Sequence, residues 1–369
     1  MTTENNTESV KPKDTGVSAG AGGLPLLHLS VSPHVRSGLS VPGVMLAVII
    51  ALTPAFISSV IFFGLSALLI TVVCVGAAVA TEYVANLILK RGQTIQDYSA
   101  IVTGMLVAFN LSPTVPLWMA VLGSVFAIAV AKMVFGGLGC NFINPALAGR
   151  AFLMASYPAQ MTDFPPTNLG GMNGLADGLS TAASADAIDA ISSATPLEAI
   201  KYAFADGIFA AADFAGALTS LLTGNVGGCI GETSAIALAI GGIFLIAVKA
   251  VDIRIPLAYF LTVFLLFWLA NGTGEFFTAD AFITPTFHIL AGGLFLGAFF
   301  MATDPVTSPI TPRGRLLFGL GCGVLTFVIR KYGGYPEGVS YSIILMNLMV
   351  PLIDRYTKPA VYGEVKKRD

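Results

Sequence analysis

Apolar residues fall in long blocks along this chain, with short polar segments between them. Ten blocks read as membrane helices, at about 41–59, 61–89, 97–112, 116–136, 144–157, 233–250, 255–271, 284–302, 314–331 and 338–353. A hydrocarbon core takes roughly 20 helical residues to cross, so the third and fifth blocks are short. Gly and Pro inside such spans are tolerated at membrane depth only where protein or a cavity shields the broken backbone. The polar segments set the domain plan: a tail 1–40, a first membrane half 41–157, a hydrophilic loop 158–231, a second half 232–355 and a tail 356–369.

Five blocks precede the loop and five follow it, so two homologous halves would cross in opposite directions. A sequence echo points the same way. Gly104-Met105-Leu106-Val107-Ala108-Phe109 leads to Pro113 and Pro116, and Gly297-Ala298-Phe299-Phe300-Met301-Ala302 leads to Pro305 and Pro309. Each lies in the third block of its half, and interrupted segments in corresponding places mark an inverted repeat around a central site. The expected fold class is an all-α polytopic membrane protein, with about ten transmembrane helices in two inverted five-helix repeats and a long outward-facing loop.

Composition agrees. Hydrophobic residues make up 55% of the 369 and charged residues 11%, against about 25% charged in a soluble domain. The net charge of -2 matters less than its distribution. With a cytoplasmic N-terminus, every basic residue except Arg150, Lys201, Arg330 and Lys331 falls on the inner side. By the positive-inside rule, both termini are then expected in the cytoplasm of a bacterial inner-membrane protein, with the loop outside. The polar start, Met1–Gly23, is no signal peptide. Four cysteines without a Cys-x-x-Cys pair argue against a metal or disulfide framework. Nothing points to nucleic acid.

Three polar motifs stand out. Asp189-Ala190-Ile191-Ser192-Ser193-Ala194-Thr195-Pro196 offers a threonine hydroxyl in a small-residue loop, suited to covalent attachment. In Asn141-Phe142-Ile143-Asn144-Pro145 through Arg150, the polar groups are costly at a membrane edge unless they line a polar cavity. Their amides match the imide edge of an isoalloxazine; Asn144 and Pro145 also read as an N-cap and first helical residue. Thr303-Asp304 is placed to bind an ion, hold a cofactor or cap a helix end, with Asp97 as its counterpart in the first half. Glu82 is expected to reach the inner interface. His28, His34 and His288 read as structural, and Gly319-Leu320-Gly321-Cys322-Gly323 as small-residue helix packing rather than a dinucleotide loop.

Together with Ser32-Pro33-His34-Val35-Arg36-Ser37, Met301 through Pro309, Val350-Pro351-Leu352-Ile353-Asp354 and Tyr362-Gly363, these stretches resemble the D subunit of the Rnf electron-transport complex. Its sister is the B subunit of the sodium-translocating NADH:quinone reductase. The resemblance covers about residues 28–363. It implies FMN linked through its phosphate to Thr195, within Ser192-Ser193-Ala194-Thr195, with Asp189 as the acidic position of the flavin-transferase pattern. Ser193 stands where glycine is usual. It also implies a non-covalent riboflavin in the bundle. Asn141, Asn144 and Arg150 are its first expected contacts, and Thr303 and Asp304 are further ones. The implied partners are other membrane and peripheral Rnf subunits, including a second covalent-FMN subunit and iron–sulfur subunits, with sodium ion or proton and membrane lipid. The implied role is electron relay between ferredoxin and NAD in a redox-driven pump, no subunit being catalytic alone. The alternative is a redox-inactive inverted-repeat channel or transporter, which leaves the 189–195 run unexplained.

Overall fold

The computed structural model describes residues 40–164, 197, 218–232, 234–270, 279–334 and 337–358. All regular elements among them are helical. Asp189 and Ser192 to Thr195 lie outside the described residues.

The first half opens with α1 (Val41–Phe63), where Ser40 accepts from the Gly43 N–H at 3.3 Å and Pro42 fits the first turn. Gly64, at φ 68° and ψ -143°, separates it from α2 (Leu65–Ile88); only glycine adopts that conformation without strain. A single turn, Ile95–Asp97, then leads to the short α3 (Ser99–Phe109). The next helix, α4 (Leu117–Val125), widens into a π-helical segment, Phe126–Met133. Two more follow, α5 (Pro145–Ser156) and the single turn α6 (Pro158–Met161).

The second half runs α7 (Ala235–Ala247), α8 (Arg254–Ala270), α9 (Ala279–Leu290), α10 (Leu294–Leu296), α11 (Pro312–Tyr332) and α12 (Val339–Tyr356). A second π-helical segment, Gly297–Met301, continues α10. Each of the ten apolar blocks overlaps one of these helical stretches.

The block expected at 284–302 is not one helix. It bends by 65° between α9 and α10, where Gly292 and Gly293 both take positive φ. Among the described residues, three helices are long and apolar enough to cross a membrane (α1, α2 and α11), or four if the bent pair counts as one span. The others are shorter, so their length alone does not establish ten crossings.

Packing is inside-out relative to a soluble protein. Leu46, Ile50, Ile57 and Ile61 on α1 and Leu257, Leu261, Leu265 and Leu269 on α8 are exposed. Glu82, Lys132, Arg150 and Arg330 are buried. An apolar outer face suits lipid, and small residues let backbones approach where no hydrophobic force separates helix from lipid. At Gly104, a Cβ would sit 2.7 Å from the Val75 Cα, so α3 lies directly on the α2 backbone. At Gly319, a Cβ would sit 2.7 Å from the Ile255 carbonyl oxygen, which bears out the small-residue reading of 319–323.

On the loop after α7, Asp252 receives Arg315 at 2.6 Å and Arg254 at 3.1 Å. Burial alone would raise its carboxyl. The Arg254 backbone N–H and the Arg315 and Arg254 side chains outweigh that and hold it below the usual carboxylate range.

Gly104→Val is expected to destabilise the helix pair by about 1–3 kcal/mol, the usual cost of overpacking. Gly76→Ala, with nothing within 4 Å of its new Cβ, is expected to be neutral. Thermal dissociation of the detergent-solubilised protein measures both.

Candidate functional site

The short helices and the two π-helical segments surround a cleft with an empty volume of about 740 Å³, counting its open mouth. Its polar lining residues are Ser99, Thr103, Lys132, Asn141, Asn144, Thr303 and Asp304. Val48, Leu106, Phe299 and Phe300 are among its apolar lining residues. Four residues singled out by sequence, Asn141, Asn144, Thr303 and Asp304, thus meet in one place although about 160 residues separate the two motifs.

Each is held by a local device. The Asn144 side-chain oxygen caps α5 by accepting from Ala146 N–H at 3.0 Å, and its amide donates to the Met301 carbonyl at 3.3 Å. In the orientation that satisfies both of its groups, the Asn347 amide accepts from the Asn144 backbone N–H and donates to Thr307, each at 3.1 Å. Both readings of Asn144 therefore hold, as a cap and as a cavity residue. Asn141 donates to the Ile143 carbonyl at 3.2 Å, and its side-chain oxygen has no hydrogen bond among the described residues. Thr303 donates to the Phe299 carbonyl at 2.6 Å. Asp304 accepts from Thr307 at 3.0 Å and from the Val306 N–H at 3.4 Å, so it caps its turn at the cavity rim. Asp97 does the same for α3, accepting from Ser99 N–H at 2.8 Å.

Arg150 belongs elsewhere, contrary to its expected grouping with Asn141 and Asn144. On α5, six residues beyond the cap, it turns away from the cleft into a buried cluster. It donates to Asn110 at 2.7 Å, pairs with Glu337 and lies 3.7 Å from Glu232. Arg330 completes the cluster. It donates to the backbone carbonyls of His288, Ala291 (3.0 Å), Gly292 (3.1 Å) and Glu337 (3.0 Å). Those of 288–292 lie at the C-terminal end of α9, where a helix leaves carbonyls without intrahelical partners. Cys229, Glu232 and Glu337 offer ligand atoms within 4.8 Å of one another. The Arg150 guanidinium already sits between the two carboxylates, so the group reads as a buried ion-pair network.

Met301 joins the two polar regions. Its carbonyl meets Asn144, while its sulfur lies 3.8 Å from the Asn110 amide at the C-terminal end of α3. His288 stacks on Phe267 at 3.6 Å between centroids, and its buried Nδ1 has no hydrogen-bond partner among the described residues. It is a packed ring, though not a satisfied one.

Glu82 corrects another expectation. It does not reach the interface: it is fully buried and pairs with Lys132 at 2.6 Å. The charge count puts Lys132 with the inner-side loops and Arg330 with the outer ones. Both belong to the interior. The signal that could have shown this is an acid and a base standing inside apolar blocks, where charges are expensive unless paired.

The cleft thus has a mixed lining of hydroxyl, amide, ammonium and carboxylate groups together with aliphatic and aromatic side chains. Comparison with known proteins places the chain in a family. The model of the NQR2, RnfD, RnfE family matches residues 28–363. The chain belongs to that family. It is therefore a multi-pass membrane protein. Among its relatives, the D subunit of the Na(+)-translocating ferredoxin:NAD(+) oxidoreductase complex of Acetobacterium woodii is 45% identical, over 92% of this chain and 96% of the relative. The D subunit of the proton-translocating ferredoxin:NAD(+) oxidoreductase complex of Clostridium ljungdahlii is 44% identical over the same shares. The D subunit of the ion-translocating oxidoreductase complex of Aeromonas hydrophila is 36% identical, over 93% of this chain and all of the relative.

Arg150→Met is expected to destabilise this family member by about 3–5 kcal/mol, because it strands two buried carboxylates. Arg150→Met combined with Glu337→Gln and Glu232→Gln is expected to recover most of the loss. Dissociation of the purified protein in graded denaturant reads the difference.

Proposed function

We propose that this chain is the flavin-carrying D-type membrane component of an ion-translocating ferredoxin:NAD oxidoreductase complex. The match along 28–363 to the NQR2, RnfD, RnfE family carries the reading, since the relatives named as D subunits align over nearly their whole length. The complex is a translocase, and this chain supplies position rather than a complete active centre.

FMN is attached as a phosphodiester to Thr195, in the loop between the halves. The run Ser192-Ser193-Ala194-Thr195 with Asp189 upstream supports this. A tether keeps a flavin at high effective concentration beside its partners even when its own affinity is weak. Riboflavin occupies the cleft. Phe299, Phe300, Val48 and Leu106 are suited to cover a ring face, while Asn141, Asn144 and Thr303 are suited to its polar edge. Bound flavin supplies one- and two-electron exchange, and the protein supplies orientation and a dry, fixed electrostatic surround. The apolar outer faces of α1 and α8 contact lipid, and the iron–sulfur and second covalent-FMN subunits pack around them.

The two halves are inverted repeats. In support, α3 and α10 are both short and both follow a left-handed residue (Tyr98 and Gly293), and α3 and the π-helical continuation of α10 each lead to a buried polar residue, Asn110 and Thr303. Both termini face the cytoplasm and the flavin loop faces outward. Burial of Arg150 and Arg330 leaves only Lys201 and Lys331 as outer-side cations, which sharpens the charge asymmetry. The transported ion is sodium or proton; the two nearly equal identities, 45% and 44%, favour neither.

After co-expression with a flavin transferase, the denatured protein band is expected to fluoresce under ultraviolet light. Mass spectrometry should find FMN on the peptide containing Thr195. Thr195→Val should abolish both signals while leaving the protein in the membrane. A dark wild-type band would favour the redox-inactive channel instead.

A further inference from the structure

We propose that Lys132 selects the occupant of the cleft by donating to a carbonyl edge of a planar heteroaromatic ring, with Glu82 as the positioning residue that holds its ammonium in place. The inference rests on the cleft being a flavin site and adds the group that orients the ring.

Lys132 lies in the π-helical continuation of α4, and the cleft is lined by Lys132 and Ser99 together. Its side chain is 2% exposed and that of Glu82 is 0% exposed. An ammonium carries three N–H donors. Glu82 takes one at 2.6 Å and Ser99 another at 2.6 Å. Among the described residues these are its hydrogen-bond partners, which leaves one donor at the cavity wall.

The supports behind it are themselves fixed. Thr94 donates to Glu82 at 2.5 Å and receives the Asn86 amide at 3.0 Å. Ser99 is fixed in turn by donating to Asp97 at 2.5 Å. A chain of hydrogen bonds thus runs from α2, through the Ile95–Asp97 turn, to the start of α3. A buried ion pair adds little to stability that an apolar pair of equal volume would not. One placed against an open cleft, with a donor to spare, is arranged for a ligand.

The ligand class follows from the charge. An ammonium beside the α3 N-terminus favours an acceptor edge and repels a cationic or donor-only ring. The isoalloxazine carbonyls meet that requirement, and Asn144 and Thr303 line the same cleft. Among the carboxylates, Asp304 caps its own turn and Glu82 is spent on Lys132, so neither competes for the ring.

The test uses the intact complex, stripped of non-covalent flavin and titrated with riboflavin while the bound-flavin absorption band is recorded. Glu82→Gln with Lys132→Met removes both charges together and leaves no stranded ion. Its affinity for riboflavin is expected to fall about ten- to a hundredfold, the size of one charge-assisted hydrogen bond. The band should shift as well, with covalent FMN unchanged. Wild-type affinity and an unmoved band would overturn the assignment.

If the double variant fails to assemble, Lys132→Arg decides. It keeps the charge but displaces the donor, so a shifted band supports the proposal and an unchanged titration overturns it. Thr103→Phe, which fills the cleft, separates the site from the role of the lysine. If it leaves riboflavin binding intact, the flavin lies elsewhere and both readings fail. If it abolishes binding while the neutral double variant does not, the role of Lys132 alone falls.

Discussion

Inside an apolar body surrounded by lipid, no water is at hand for a broken helix end or a lone charge, so each must find its partner within the protein. That requirement organises this structure. The α9 carbonyls freed at the 65° bend are taken by Arg330. The α3 C-terminal end meets Arg150 and Met301 through Asn110. Glu82 and Lys132 satisfy each other. Remove these closures and the short helices have no reason to stop at membrane depth.

The cleft arises where closure is incomplete. Short helices and wide π-helical turns leave a gap that no side chain fills, and the polar groups that would otherwise be liabilities line its wall. Rare π-helical segments recur at functional sites. Here one carries Lys132 and the other carries Phe299 and Phe300, all of which line one cavity. The Arg150 and Arg330 cluster has the opposite character. It is saturated with internal bonds, and we read it as the brace that holds the two halves together around the gap.

Much of this is legible in the chain itself. The apolar blocks coincide with helical stretches, and Asn141, Asn144, Thr303 and Asp304 line the cleft. What sequence does not supply is the direction of a side chain. Asn144 and Arg150 are six residues apart on one short helix, yet serve different clusters, because rotation about the helix axis separates them. The bend at 291–293 is hidden because Ala291-Gly292-Gly293 is itself apolar and passes for helix. Glu82 and Lys132 are misplaced by sequence for a similar reason. A charge near the end of an apolar block can snorkel or pair, and the choice depends on a partner 50 residues away.

The most direct experiment is a high-resolution density map of the assembled complex in a lipid nanodisc. Flat, ring-shaped density between Phe299 and the Asn144 and Thr303 edge is the expected outcome, with Lys132 within hydrogen-bond reach of it. A cleft closed by side chains, or filled by an acyl chain with Lys132 turned wholly toward Glu82, would refute the reading of this interior as a flavin site.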